Sequence, residues 1–167
     1  GWRVVWLGTA NGMESQLVPS RGYPLIAIDI AGLRGKGWLR KLTTPFRLCK
    51  AIWQCLAAIK QEKPQIVVGF GGYVAFPGGV AAKIAGIPLV VHEQNSVAGL
   101  TNKCLAKLAQ RVLTAFPAAF PLGGKAQLIG NPVRAEIAAM PPPELRYASR
   151  QGALRVLVVG GSLGAQA

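Results

Sequence analysis

The amino-acid sequence predicts an α/β fold with a Rossmann-like, doubly wound parallel sheet. Short runs rich in β-branched residues alternate with segments of helical pattern, and this alternation is typical of a parallel sheet wrapped by helices on both faces. Most of these runs are nearly continuous in apolar residues, as expected of strands buried on both faces. Glycine-rich turns follow several of them, at the edge of the sheet where such folds bind ligands.

The predicted elements follow one another along the whole chain. Strands are expected at 3–7, 25–30, 65–70, 89–92, 112–115, 126–129 and 154–159. Helices are expected at 13–20, 45–62, 78–85 and 98–109. Thr44 before Pro45 resembles a helix start, Lys63 before Pro64 resembles a helix end, and Pro77 suits the first turn of the third helix.

A domain boundary is expected near three consecutive prolines. Pro141 to Pro143 cannot continue a helix or a central strand, and the polar stretch that follows predicts a linker at 141–153. Residues 1–140 would then form one Rossmann-like domain, and residues 154–167 would begin a second α/β domain. Since the chain starts in mid-pattern, we expect a fragment.

Composition narrows the class of protein. Nineteen Lys and Arg against six Asp and Glu give a formal charge of +13, which favours polyanionic partners such as nucleic acid, anionic lipid or phosphorylated ligands. The three cysteines have no metal-type spacing, so we expect no metal site and a reducing compartment. No leader and no long apolar run is present, which predicts a cytoplasmic protein that does not span a membrane.

Three glycine-rich turns are candidate sites for a phosphate or a sugar, because their backbone N–H groups can approach a ligand closely. They are GFGGYVAFPGG at 69–79, GNPVR at 130–134 and GGSLGA at 160–165. Each turn could equally be structural. A dinucleotide site is disfavoured because the third turn lacks the G-x-G-x-x-G spacing and a later acidic residue. A phosphate-binding P-loop is disfavoured as well, because no G-K-[ST] follows any turn.

The polar string HEQNSVAGLTNK, at 92–103, is the most informative segment. It places His92, Glu93, Gln94 and Asn95 directly after a buried strand, where a domain cleft would be, so these side chains are candidates for ligand binding. The alternative interpretation is that Asn95 or Ser96 caps the next helix and the other side chains satisfy buried backbone groups. His92 is the single histidine and a candidate general base, but a lone histidine is more often structural.

Together these motifs resemble the MurG family of N-acetylglucosaminyltransferases. The upstream segments WLGTANGMESQLVP and GLRGKG resemble it too, so the similarity covers essentially the whole chain. The resemblance implies a GT-B glycosyltransferase in which an N-terminal domain holds the acceptor and a C-terminal domain holds most of the UDP-sugar. This chain would be the N-terminal acceptor domain without its first strand and glycine-rich loop, plus the first strand of the C-terminal domain.

The resemblance also implies a reaction and its site. The acceptor hydroxyl of undecaprenyl-pyrophosphoryl-N-acetylmuramyl pentapeptide (lipid I) would attack the anomeric carbon of UDP-N-acetylglucosamine with inversion, giving lipid II in peptidoglycan synthesis. Asn95, Arg134 and Ser162 would contact the donor, since a guanidinium suits diphosphate and an amide suits sugar hydroxyls. The acceptor side would comprise Gly71, Gly72, Tyr73, Gly78, Gly79, Glu93 and Gln94.

Some parts that the family uses are expected to lie outside this chain. The histidine of a GGTGGH-type loop, a leading candidate for the base, would precede Gly1, so we expect this piece alone to be inactive. We expect no cofactor and no metal. Other cell-wall synthesis proteins would be further partners.

The helix predicted at 45–62 carries an apolar stripe beside its core-facing side. This stripe predicts peripheral binding to the cytoplasmic face of the bacterial inner membrane. Apolar groups ringed by Lys and Arg suit shallow docking on an anionic leaflet; the alternative is packing against another domain. The proposed docking residues are Leu42, Phe46, Cys49, Trp53, Lys36, Arg40, Lys41, Arg47 and Lys50.

Two other functions stay open at this point. One is a GT-B transferase acting on a diacylglycerol-type lipid, and another is the non-catalytic, membrane-recruiting half of a split transferase. Nucleic-acid binding rests on charge alone, because the aromatics cluster with aliphatics on a helix and no nucleic-acid motif is present, so we expect no nucleic-acid partner.

Overall fold

The computed structural model describes residues 1–30, 38–153 and 155–157, and of residues 38–43 it describes the backbone only. The strands are β1 (Trp6–Gly8), β2 (Leu25–Ala27), β3 (Val67–Gly69), β4 (Leu89–Glu93), β5 (Arg111–Thr114) and β6 (Ala126–Leu128). The helices are α1 (Glu14–Ser20), α2 (Trp38–Glu62), α3 (Gly72–Ile84), α4 (Leu100–Leu108), α5 (Ala135–Ala138) and α6 (Pro143–Tyr147).

All the strand pairs among these elements are parallel. β1 pairs with β2 in one sheet, and β3, β4, β5 and β6 follow in that order in a second sheet. Helices connect most of the successive strands, because parallel neighbours need a crossover. The predicted parallel α/β fold is therefore confirmed.

Two apolar clusters hold the layers together. One joins the residues after β2 to α2 and α3, and its buried members are Ile28, Ile30, Ala51, Cys55 and Ala81. The other lies between β4, β5 and α4, and its buried members are Leu89, Val91, Leu105, Ala109 and Val112. Since α3 packs against both α2 and α4, it links the two clusters.

Two helices begin earlier than the sequence predicts, and each contains a proline. The predicted start of α2 at Pro45 is wrong, because the helix already begins at Trp38. The predicted start of α3 at Gly78 is also wrong: positive φ angles of 87° at Gly71 and 78° at Gly72 turn the chain from β3 directly into the helix. Proline within a helix removes one backbone hydrogen bond, and here tertiary packing outweighs that loss.

The chain divides into two compact units, residues 1–131 and 132–167. In the second unit, α5 and α6 are short helices that the sequence analysis did not predict. α6 starts at Pro143, inside the predicted linker, because proline fits the first turn of a helix. Residues 155–157 form no strand, and the rest of the predicted strand at 154–159 lies outside the described residues. The domain boundary at 141–153 stays a prediction.

None of the helices in the described part of the chain combines the length and apolar character needed to cross a bilayer.

Candidate functional site

The candidate site lies at the carboxyl edge of the four-stranded sheet. Since its strands are parallel, the loops that follow β3, β4, β5 and β6 leave from the same edge. The polar string at 92–103 follows β4, which is a central strand. Its side chains are therefore held between loops from neighbouring strands.

The Glu93 carboxylate organises this loop. Its Oε1 atom accepts hydrogen bonds from the backbone N and the Nδ2 of Asn95, at 3.0 and 2.9 Å. Its Oε2 atom accepts from the backbone N of Gly99 at 3.1 Å and from Nδ2 of Asn102 at 2.8 Å. The residue is only 1% exposed, so these four donors replace the water that an ionised carboxylate needs.

The charge of Glu93 is favoured by these donors. Burial raises the pKa of this carboxyl group, but the hydrogen bonds from Asn95, Asn102 and Gly99 outweigh burial and bring the pKa below its ordinary value. Glu93 is therefore ionised at neutral pH, and the loop from 93 to 102 is fastened to one buried negative charge.

Asn102 is a residue of this network to which the sequence analysis gave no role. It lies in α4 and is buried, and its Nδ2 also donates to the carbonyl oxygen of His92 at 3.2 Å. A Cβ atom at Gly71 would lie 3.2 Å from this nitrogen, so glycine lets the loop after β3 pass close over Asn102. The sequence signal was a polar residue on the apolar stripe that includes Leu105 and Ala109.

Asn95 and Gln94 follow Glu93 and differ in exposure. Asn95 is exposed, and because its Nδ2 is committed to Glu93, the free acceptor on this side chain is Oδ1. Gln94 is half-buried, its Nε2 donates to the His92 carbonyl at 3.3 Å, and its own carbonyl accepts from Nδ2 of Asn131 at 3.1 Å. Asn95 is thus the member of the string best placed to meet a ligand.

His92 is placed for a structural role. It is 2% exposed, and its Nε2 lies 3.0 Å from the carbonyl oxygen of Gly130, to which it donates. Its ring also packs against Phe70, with ring centroids 5.7 Å apart. The histidine therefore ties the end of β4 to the loops after β3 and β6, and its burial argues against the role of general base.

A cavity of about 250 Å³ opens at the N-terminal end of α3. Glu14 forms one wall, and its Oε1 accepts from the backbone N and the Oγ1 of Thr9, at 2.8 and 2.7 Å. Hydrogen bonds from its own backbone and from Thr9 lower the pKa of Glu14, so it is ionised. The lining residues are Trp6, Leu7, Gly8, Glu14, Gly71, Gly72, Tyr73 and Val74.

The chemistry of this cavity is two-sided. The first turn of α3 offers backbone N–H groups and the positive end of the helix dipole, which favour an anion. The Glu14 carboxylate opposite accepts hydrogen bonds from hydroxyl or amide groups. Together, these walls suit a ligand that carries both phosphate and sugar groups. Glu14 was not among the residues predicted for the site, because no sequence motif pairs it with Thr9, five residues away.

Gly78 and Gly79 lie elsewhere than the sequence analysis expects. Both are buried within α3. A Cβ atom at Gly78 would meet the Leu7 side chain at 3.0 Å, and one at Gly79 would meet that of Leu105 at 2.6 Å. In the described residues these two glycines permit close packing of α3, and they do not line the cavity at its N-terminus.

The predicted donor contacts are only partly described. Arg134 is exposed in the second compact unit, at the N-terminal cap of α5. Ser162 lies outside the described residues, as does Lys36 of the docking set. Within the described ranges, no group of His, Cys, Asp or Glu side chains is arranged to hold a metal ion.

The proposed docking stripe is exposed on α2. Phe46 is 80% exposed and Trp53 is 74% exposed, and Cys49 between them is exposed as well. Lys50 forms an ion pair, since its Nζ lies 2.5 Å from the Asp29 carboxylate. Arg40, Lys41 and Leu42 occupy helical positions whose side chains are not described.

Comparisons with known proteins give a consistent result. Residues 1–114 match the family described as the glycosyltransferase family 28 N-terminal domain. A UDP-N-acetylglucosamine–N-acetylmuramyl-(pentapeptide) pyrophosphoryl-undecaprenol N-acetylglucosamine transferase of Nitrosomonas eutropha is 57% identical over all of this chain and 47% of its own length. The protein of the same name from Burkholderia orbicola is 59% identical over all of this chain and 45% of its own length.

Solved structures give the same picture of the fold. The crystal structure of Acinetobacter baumannii MurG superposes with a TM-score of 0.78 at 42% identity, over 97% of this chain and 45% of that one. A glycosyltransferase from Rickettsia africae superposes with a TM-score of 0.54 at 13% identity, over 86% of this chain and 40% of that one, which supports the fold alone. The chain spans a little under half the length of the relatives it matches.

Proposed function

Because the chain belongs to glycosyltransferase family 28, whose N-terminal domain it carries over residues 1–114, we propose that it forms the acceptor-side part of an N-acetylglucosaminyltransferase of peptidoglycan synthesis. The reaction would move N-acetylglucosamine from UDP-N-acetylglucosamine to undecaprenyl-pyrophosphoryl-N-acetylmuramyl pentapeptide. The observation that carries this proposal is the Glu93 network, which holds Asn95 at the carboxyl edge of the sheet. The chain is also more than half identical to transferases named for this reaction.

The acceptor would bind at the N-terminal end of α3. Its diphosphate would accept hydrogen bonds from the backbone N–H groups of Gly72 and Tyr73, which lie at the positive end of the helix dipole. The Glu14 carboxylate, held ionised by Thr9, would accept a hydrogen bond from the acceptor sugar. The cavity would thus offer hydrogen-bond donors to the diphosphate and a hydrogen-bond acceptor to the sugar.

The donor contacts that the family resemblance implies are Asn95, Arg134 and Ser162. Oδ1 of Asn95 would accept a hydrogen bond from a hydroxyl of the donor sugar. Arg134 would bind the UDP diphosphate as a bidentate, charge-assisted fork, and Ser162 would contact the same group. The leaving diphosphate gains negative charge as the bond to the anomeric carbon breaks, so fixed positive groups lower the barrier.

A sugar-transfer assay tests this proposal. The full-length protein is incubated with radiolabelled UDP-N-acetylglucosamine and either the lipid-linked muramyl pentapeptide or a diacylglycerol acceptor. The proposal expects label in the muramyl lipid. Label in diacylglycerol alone, or hydrolysis of the donor with neither lipid labelled, would contradict it.

We further propose that α2 docks the protein on the cytoplasmic face of the inner membrane. Phe46, Cys49 and Trp53 form an exposed apolar stripe with Arg47 beside it, and this combination binds shallowly to anionic lipid. Such a position would bring the cavity near a lipid-linked acceptor, whose undecaprenyl chain stays in the bilayer.

Sedimentation with anionic vesicles tests the docking. Phe46→Ser with Trp53→Ser should weaken binding at least about ten-fold. Each substitution removes more than about 1.5 kcal/mol of the free energy gained when a large apolar side chain is buried in the bilayer interface. The matched control is Met13→Ser with Leu17→Ser, which removes two exposed apolar residues, one at the N-terminal cap of α1 and one within it. Equal binding of the two double variants would rule out docking by α2.

A further inference from the structure

A second cavity, of about 530 Å³, opens where the C-terminal ends of α2 and α3 meet. It lies at the amino edge of the sheet, away from the candidate site, because the lining residues Pro64 and Ile87 precede β3 and β4. Its lining consists of Leu56, Ile59, Lys60, Lys63, Pro64, Ala85 and Ile87. Its volume falls within the range of small-molecule pockets, roughly 300–1,000 Å³.

The lining is amphipathic. Leu56, Ile59 and Ile87 contribute apolar groups, whereas Lys60 and Lys63 contribute two ammonium groups. The backbone fixes one of these lysines: Lys63 has a φ of 47°, and its N donates to the Ile59 carbonyl at 2.8 Å, which ends the helix. An anionic head attached to an apolar chain matches this arrangement.

The positive charge of this cavity is not neutralised by its neighbours. Glu62 lies between the two lysines in sequence, but its carboxylate is 2.6 Å from Nη2 of Arg3. Among the described residues, neither Lys60 nor Lys63 has an acidic side chain within ion-pair distance. Their attraction for an external anion is therefore retained.

The cavity continues the exposed stripe of α2. Phe46, Trp53 and Lys60 are spaced seven residues apart, as are Cys49 and Leu56, and seven residues correspond to about two turns of an α-helix. Each series therefore runs along one side of α2. A bilayer that meets Phe46 and Trp53 would also reach the mouth of the cavity.

We propose that this cavity binds one anionic phospholipid molecule, with its phosphate between Lys60 and Lys63 and an acyl chain against Leu56, Ile59 and Ile87. The inference rests on the proposed membrane docking and is independent of the transfer reaction. It turns a general attraction to the leaflet into a site for a single lipid. The competing explanation is that both lysines only compensate the negative end of the α2 dipole.

Photocrosslinking tests the proposal in the full chain. Phosphatidylglycerol with a diazirine in its acyl chain is placed in phosphatidylcholine vesicles, and crosslinked peptides are mapped by mass spectrometry. Crosslinks are expected within 56–64 and 85–87. Crosslinks confined to 46–53, or an equal yield in the cavity peptides from phosphatidylcholine with the same diazirine, would overturn the proposal.

Paired variants separate the cavity from general charge. Lys60→Gln with Lys63→Gln should lower the crosslink yield in the cavity peptides, per bound protein, by about ten-fold or more. Ala85→Phe should lower it similarly by filling the cavity while keeping both charges. Lys83→Gln removes one positive charge from the last turn of α3 outside the lining and should leave it unchanged.

The outcomes distinguish this proposal from membrane docking itself. If the Phe46 and Trp53 double variant loses vesicle binding but the two lysine substitutions leave the cavity crosslinks per bound protein intact, the docking proposal stands and the lipid site is refuted. If the lysine pair and Lys83→Gln have the same effect on that yield, the lysines act as general charge and the site is refuted as well.

Discussion

Replacement of Glu93 by glutamine probes the network on which the candidate site depends. The carboxylate accepts four hydrogen bonds, two from Asn95 and one each from Gly99 and Asn102. Glutamine keeps the size of the side chain but offers one acceptor oxygen and one NH₂ group. Two of the four donor groups would therefore face the NH₂ group of glutamine, which cannot accept a hydrogen bond.

The magnitude follows from those two lost bonds. A hydrogen bond to a charged group contributes about 1.5–3 kcal/mol, so two such losses amount to about 3–6 kcal/mol. The neutral amide is easier to bury than the carboxylate, which offsets part of the loss. We expect Glu93→Gln to lower the free energy of unfolding by about 3 kcal/mol at pH 7, an effect large against the 5–15 kcal/mol typical of a domain.

Urea unfolding between pH 7 and pH 3 measures both the size and the origin of the effect. Because the folded protein holds the pKa of Glu93 below its ordinary value, the stabilisation is fully present above the unfolded pKa, about 4.3. It is lost as the pH falls through the folded pKa. The difference in free energy of unfolding between the wild-type protein and the variant should therefore shrink in acid.

A matched control checks that the effect belongs to the buried network. Glu144 is an exposed carboxylate in the second compact unit, so Glu144→Gln should change the free energy of unfolding by no more than about 0.5 kcal/mol. A Glu93→Gln protein as stable as this control, or a difference independent of pH, would refute the reasoning.

Three further predictions follow from packing and exposure. Gly79→Ala should destabilise the chain by about 1–3 kcal/mol in urea unfolding, since its Cβ would lie 2.6 Å from Leu105. Cys49 should react with a thiol reagent at pH 8, whereas Cys55, with its pKa raised to about 12 by burial, should react only after unfolding. Asp29→Asn should strengthen sedimentation with anionic vesicles roughly two- to five-fold by releasing its lysine partner.

The strands of residues 1–131 could be predicted from the sequence because each is a short, nearly continuous apolar run. The starts of α2 and α3 could not, since the rule used for each of them depends on proline. Pro45 and Pro77 mark first turns in local sequence terms, yet they lie inside α2 and α3. Whether a helix tolerates proline depends on packing around it, which no local pattern encodes.

The candidate site shows the same division between local and tertiary information. The string at 92–103 was recognisable because polar residues after a buried strand are unusual. The hydrogen bonds within it could not be predicted, because the pairing of Glu93 with Asn102 depends on how α4 returns over the end of β4. Gly78 and Gly79 resembled ligand-facing glycines, but the contacts of α3 with Leu7 and Leu105 bury them.

A double-mutant cycle on the Michaelis constant for UDP-N-acetylglucosamine tests most directly whether Glu93 acts by holding Asn95. It uses the full-length enzyme with Glu93→Gln, Asn95→Ala and both together. Each single variant should raise the constant, and the double variant should be no worse than Asn95→Ala, because residues that act through one another are not additive. Additive effects, or a Glu93→Gln enzyme with an unchanged constant, would contradict the account.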